Sequence, residues 1–286
     1  MKPDVQALYD VTTGTVSYVV ADPGTSFAAV IDPVLDFEPK AARLSTASAD
    51  NLLAVIDERG LKLAYVLETH VHADHLSAAD YLRRRTGAKV AIGAQTVGIQ
   101  AQFAEQFAAD DLSADGAAFD HLLQEGDTLA LGDLTIGVLD TPGHTPADVT
   151  YLIGDAAFVG DTLMMPDYGT ARADFPGGDA ATLFRSIHRI LSLPPETRIF
   201  VCHDYPPPGR AEVRWETTVG AQVSQNIHVG QGAGEAAFVA MREARDATLA
   251  TPTLMLAALQ VNIRGGGLPP AAACGRVFLK LPVTLA

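Results

Sequence analysis

The spacing of apolar residues predicts strands alternating with helices along most of the chain. Residues 15–32 read as two strands, with apolar runs at Val16 to Val20 and Ala28 to Ile31, joined through Asp22-Pro23-Gly24-Thr25. Pro-Gly couples a fixed φ to a residue free to turn, so it marks a chain reversal. The segment 49–60 puts Leu52, Val55 and Ile56 on one helix face, with Gly60 as a left-handed stop. Residues 64–67 form a short apolar strand that leads into Thr69-His70. A helix follows from about Ser77 to Arg85, ending near Gly87, then a strand from Ala88 to Ile92 and a helix from Thr96 to Ala108. The polar residues 109–120 read as loop.

Strands return after residue 124, at Leu134 to Leu139, Val149 to Ile153 and Ala156 to Val159. A helix over 180–192 gathers Leu183, Ile187, Ile190 and Leu191 on one side, and Arg198 to Val201 is another short strand. Strands and helices in two successive halves predict a layered α/β sandwich with its chemistry in loops at strand ends. From about residue 225 the pattern changes. A helix near 234–248, another after Thr251-Pro252, a break at Gly265-Gly266-Gly267 and a last strand near 276–283 are expected. This predicts a main domain over 1–225 and a short C-terminal α+β appendage over 226–286 that packs on it.

Composition narrows the partners. The chain has 286 residues, 48% hydrophobic and 19% charged, enough for a sizeable core and unlike a disordered segment. Its net charge of −14 repels phosphate backbones and anionic lipid, so neither a nucleic-acid nor a membrane partner is expected. Arg83-Arg84-Arg85 reads as a solvated helix face. Two cysteines are too few for a disulfide framework and fit a reducing compartment. MKPDVQALYD lacks the apolar run of a signal peptide, and no run of about 18 apolar residues occurs. A cytoplasmic protein is the expectation.

The chemistry-bearing residues cluster after strands. Three of the eight histidines lie in Thr69-His70-Val71-His72-Ala73-Asp74-His75. His70 and His72 alternate along an extended segment and so point one way. The strand over 134–140 runs into Thr141-Pro142-Gly143-His144-Thr145, the next into Gly160-Asp161, and the strand over 198–201 into Cys202-His203-Asp204-Tyr205. Seven ligand-type residues therefore converge: His70, His72, Asp74, His75, His144, Asp161 and His203. Imidazole and carboxylate together suit zinc or iron, and seven donors are enough for two ions. His121, His188 and His228 lie outside these motifs and read as surface or helix residues. Cys202 reads as a packed, inert thiol, and Trp215 as a packing residue.

This set, in this order, resembles the metallo-β-lactamase superfamily over roughly residues 12–206. The resemblance implies an αββα sandwich with metal in a cleft at one edge. A narrower resemblance is to the bacterial branch of the persulfide dioxygenases (sulfur dioxygenases). It is carried by THVHADH at 69–75, TPGHT at 141–145, Gly160-Asp161-Thr162-Leu163, and Met165-Pro166-Asp167-Tyr168-Gly169-Thr170-Ala171-Arg172. Asp174-Phe175, His203-Asp204-Tyr205 and the tail Gln260-Val261-Asn262-Ile263-Arg264 extend it.

That family oxidises glutathione persulfide with O₂ to sulfite and glutathione at one non-haem Fe(II) per chain, and its relatives suggest a homodimer. Carried onto this chain, the iron ligands are His70, His144 and Asp161. His72, Asp74, His75 and His203 are then left to orient ligands and hold water, or to form a second metal position. The resemblance makes Arg172 a partner for glutathione carboxylates, with a structural ion pair as its alternative role, Asp174 a group that orients Arg172 or the iron-bound water, and Tyr205 a hydrogen-bonding group near sulfur or O₂. Asn262 and Arg264 would close the pocket from the appendage. The chain departs from the family at Ala173, where a small polar residue or cysteine is usual. A two-metal thioesterase of the glyoxalase II kind uses the same seven residues, and the loop at 164–178 is what separates the two readings. A non-enzymatic sulfur sensor or carrier is the third reading, disfavoured by the complete ligand set.

Overall fold

The computed structural model of the chain describes residues 2–283. The first half runs β1 (Asp4–Tyr9), β2 (Val16–Ala21), β3 (Phe27–Ile31), β4 (Val34–Glu38), β5 (Arg43–Ser45) and α1 (Ala47–Glu58). Then come β6 (Lys62–Leu67), β7 (Leu76–Ser77), α2 (Ala79–Thr86), β8 (Lys89–Gly93), α3 (Thr96–Gln106) and β9 (His121–Leu123). The second half has β10 (Thr128–Leu131), β11 (Leu134–Asp140), β12 (Val149–Ile153), β13 (Ala156–Phe158), α4 (Ala180–Leu191), β14 (Arg198–Phe200) and β15 (Glu216–Thr218). It closes with α5 (Val219–Gln225), α6 (Glu235–Asp246) and α7 (Met255–Asn262).

Two six-stranded sheets dominate, ordered β1-β2-β3-β6-β8-β9 and β10-β11-β12-β13-β14-β15, and β5-β4-β7 form a small third sheet. Alternation across each strand builds the layers. Val16, Tyr18 and Val20 of β2 face the second sheet, where Tyr18 packs edge-on against Phe158 and Phe200. Val19 and Ala21 face the other way and pack with Leu52, Leu82 and Phe103 of α1, α2 and α3. On the far side, Ala157 and Ile199 meet Leu183, Ile187 and Ile190 of α4 and Phe238 of α6. Helices thus cover both outer faces of a double sheet, an αββα sandwich. Each buried aliphatic side chain contributes about 1.5–3 kcal/mol relative to exposure.

The predicted helix stops hold: Gly60 and Gly87 both have positive φ. The three arginines at 83–85 lie at the end of α2, where Arg83 and Arg84 pair with Asp80 and Arg84 is 75% exposed. No helix among the described residues is long and apolar enough to cross a membrane.

The expected strand at 276–283 is not there, so the described part of the appendage is helical rather than α+β. One side chain holds the segment instead. The amide of Gln260 on α7 donates to the Lys280 carbonyl at 2.9 Å and accepts from the Lys280 N–H at 2.8 Å. The segment is pinned by an amide standing in for a strand partner. The same appendage lays α6 against α4 and α7 against β7.

Candidate metal centre and its cavity

Four strand ends deliver the ligand-type side chains: β6 leads to His70, β11 to His144, β13 to Asp161 and β14 to His203. Two glycines make the approach possible. Gly143 has φ +141°, and a Cβ there would sit 2.3 Å from the Leu183 backbone. Gly160 has φ +52°, and a Cβ there would sit 2.6 Å from Thr69 Oγ1. Any other residue would push His144 off α4 or Asp161 off the His70 loop.

The structure brings His70, His144 and Asp161 together with one donor atom of each within 4.8 Å of the others. His72, Asp74, His75 and His203 form a second group on the same criterion. Asp161 stands between them. Its Oδ2 lies 4.0 Å from His70 Nε2 and 3.6 Å from His144 Nε2, while its Oδ1 lies 3.4 Å from His203 Nε2. Asp74 Oδ2 is 3.2 Å from the same His203 nitrogen.

Six buried atoms of the cluster have no hydrogen-bond partner: His70 Nε2, His72 Nδ1, His75 Nε2, His203 Nε2, Asp74 Oδ2 and Asp161 Oδ1. Each such orphan costs about 1–3 kcal/mol, and folded proteins keep few. A cation satisfies them together, and nitrogen with carboxylate oxygen is the donor set of zinc and iron sites. The residues present fit a metal, with room in the ligand count for two ions.

The remaining imidazole nitrogens are held from behind. His144 Nδ1–H donates to the Arg172 carbonyl at 2.8 Å, which fixes the tautomer and turns the Nε2 lone pair toward Asp161. His70 Nδ1 is 3.0 Å from Thr69 Oγ1. His72 Nε2 lies 3.0 Å from Asp32 Oδ1 and 3.3 Å from Glu68 Oε2, which leaves Nδ1 for the site. Burial pushes the His70 imidazole well below its usual pKa, and neighbouring imidazoles add to this, so it is a neutral donor. Burial acts the same way on His72, but Asp32 and Glu68 overcome it and raise that imidazole well above the usual range.

Asp32, Glu68 and Thr69 were not singled out in the sequence. Asp32 follows β3 as His70 follows β6, so an acid just past a buried strand was the available signal. Cys202 is a buried thiol whose pKa burial pushes well up, the inert state its surroundings predict. His228 departs from its expected surface role. It is half-buried, and its Nδ1 accepts the Thr170 N–H at 3.1 Å.

A cavity of about 530 Å³ opens above the metal-type residues, and Asp74, His144 and Asp161 reach it. Tyr205 lines it, its ring parallel to His203 with centroids 5.7 Å apart. Arg172 also lines it, but Nη2 and Nε are held by Asp174 and Nη1 by the Ala250 carbonyl. Asp174 thus closes the fork of Arg172.

Two predicted pocket residues are elsewhere. Asn262 is buried, and its side-chain amide is spent on the metal loop. Its Nδ2 donates to the carbonyls of His72 and His75, both at 2.8 Å, and its Oδ1 accepts the Ser77 N–H. Arg264 pairs with Asp111 and the Gln260 carbonyl and does not line the cavity. Both were read as closing the pocket because they sit in a tail motif, and a tail can brace a site from behind.

Residues 11–203 match the family model described as the metallo-beta-lactamase superfamily. A curated protein of Agrobacterium fabrum, the Beta-lactamase hydrolase-like protein, is 52% identical over 98% of this chain, which spans only 65% of that protein. Glyoxylase B2 of Dictyostelium discoideum is 41% identical over 99% of the chain and 97% of its own length. The human mitochondrial persulfide dioxygenase ETHE1 is 33% identical over 70% of the chain and 68% of its own length. The crystal structure of ETHE1 from Myxococcus xanthus superposes with a TM-score of 0.74 at 31% identity, covering 92% of this chain and 100% of that one.

Proposed function

The chain belongs to the metallo-β-lactamase superfamily, and from that premise we propose that it is an Fe(II)-dependent persulfide dioxygenase. The reaction joins glutathione persulfide, O₂ and water and releases sulfite, glutathione and two protons. The observation that carries this reading is the His70–His144–Asp161 group beside the cavity. Two imidazoles and one carboxylate would hold an iron ion and leave it able to take further ligands. Bound there, iron supplies the electron transfer to O₂ that zinc cannot. The likeness to ETHE1 of M. xanthus across nearly the whole chain supports the same choice.

The chain's own residues do the positioning. The Arg172 carbonyl keeps His144 in the ligand tautomer. Asp32 and Glu68 hold His72, and Thr69, whose N–H and hydroxyl both donate to Asp32, steadies His70 from behind. Tyr205, with its ring on His203, forms a flat wall for the substrate's sulfur end.

A second reading has a specific observation in its favour. Asp161 presents one oxygen to each ligand group, as a residue shared by two metals would. That suits a two-metal thioesterase of the glyoxalase II kind, in which water attacks a thioester carbonyl; the likeness to Glyoxylase B2 points the same way. Metal analysis of protein purified without added metal separates the two. The dioxygenase predicts about one iron per chain and O₂ uptake only when glutathione persulfide is present. Two zinc ions with rapid hydrolysis of S-lactoylglutathione would transfer the assignment to the thioesterase.

A further inference from the structure

Three arginines line the cavity: Arg172, Arg242 and Arg245. Two are already neutralised within the chain. Asp174 holds the fork of Arg172. Arg242 is fully buried, with Nε and Nη2 on Asp246 and Nη1 3.3 Å from the Thr170 carbonyl. Arg245 differs. Its guanidinium carries no ion pair or hydrogen bond among the described residues, and it lies 5.7 Å over the Tyr168 ring. Arg245 is exposed on the cavity wall, so its charge is open to an anionic ligand that enters there.

Its place relative to the metal cluster is defined by aromatic rings. Tyr168 packs on Tyr205 at 5.5 Å, and Tyr205 stacks on His203 at 5.7 Å. The free guanidinium is therefore separated from a metal-type residue by two tyrosines along the cavity wall. A substrate that reaches both must be elongated, with its sulfur at one end and an anion at the other.

We propose that Arg245 binds the glycine carboxylate of the glutathione moiety and so sets the substrate's specificity. The inference rests on the glutathione-derivative reading above. The glycine end is chosen by charge: the γ-glutamyl carboxylate carries an adjacent ammonium, which the Arg245 guanidinium repels, whereas the glycine carboxylate has none. Arg172 contributes its backbone carbonyl to His144, and its guanidinium, closed by Asp174, takes no carboxylate.

The test is anaerobic calorimetric titration of the metal-loaded protein with glutathione and with its glycyl ethyl ester. Arg245→Met keeps the apolar stem over Tyr168 and removes the charge. A lost charge-assisted contact corresponds to about tenfold to a hundredfold weaker binding. That loss is expected for Arg245→Met with glutathione and for wild type with the ester, and the ester should bind Arg245→Met no more weakly than glutathione does. Equal binding of glutathione and ester by wild type overturns the proposal, and this arm does not depend on the variant folding. So does an unchanged affinity in Arg245→Met, or an ester penalty that persists in it. Failure of the dioxygenase reading has a different signature: no persulfide-dependent O₂ uptake, with the wild-type preference for glutathione over the ester intact.

Discussion

The floor and the wall of the cavity are built by opposite rules. On the floor, buried donor atoms are left without partners and aimed at one another: His70 Nε2, His75 Nε2 and Asp161 Oδ1 have none. On the wall, charges are cancelled at home, with Arg172 on Asp174 and Arg242 on Asp246. The floor has stored polar cost that a metal relieves. The wall has none to relieve, save at Arg245. The contrast separates residues that bind from residues that shape. It also moves Arg172 and Asn262 from the first class to the second.

The largest effect should come from emptying the floor. His144→Ala removes one of the three proposed ligands, and metal content measured by atomic absorption should fall to background with activity. Retention of full occupancy would break the contrast, because it would make His144 a shaping residue. On the wall, Arg242→Met strands a buried carboxylate at Asp246, whose Oδ2 also accepts the Ala173 N–H at 2.8 Å. Breaking such a pair costs about 3–5 kcal/mol, seen as a lowered chemical-denaturation midpoint with metal stoichiometry kept. Asn262→Ala leaves two carbonyls and one N–H of the metal loop unpaired. About 2–3 kcal/mol of stability should go, together with about tenfold to a hundredfold in metal affinity, since outer partners of ligands act at that scale. A variant that lost stability and kept its metal affinity would show that the loop needs no brace.

The smallest effect is a pH dependence. Burial pulls the His228 pKa down from 6.5 to about 4, with Arg242 and Arg245 adding to it. The unfolded chain then binds more protons than the folded one between those values. The stabilising contribution of neutral His228 is thus whole above pH 6.5 and is lost as pH falls toward 4. His228→Asn cannot titrate, so its melting temperature should fall less than that of wild type over this window. Parallel curves would remove His228 from the account of the 164–172 loop.

The floor was legible in the sequence because its ligands follow short apolar strands and three histidines crowd one turn. The two-sheet architecture was legible for the same reason, since the apolar run Val16 to Val20 and the periodicity in Leu183 to Leu191 are local signals. The outer partners were not. Asp32 carries no local sign of its partners, and only the pairing of β3 with β6 sets its carboxylate on Thr69 and His72. The tail misled for a related reason. Residues 276–283 have a strand's composition, but a strand needs a neighbouring strand to pair with, and the backbone groups of Lys280 bond to the Gln260 side chain. Arg264 looked like a pocket cation because charge alone does not reveal that Asp111 has claimed it.

The bond from Asn262 to the His75 carbonyl spans 187 residues. On the ribosome, at about 5–20 residues per second, the brace emerges roughly 10–40 s after the histidines it steadies. For that interval the nascent chain exposes a metal-seeking turn whose geometry is unfinished, and the order of synthesis makes correct metal capture one of the last events in its birth.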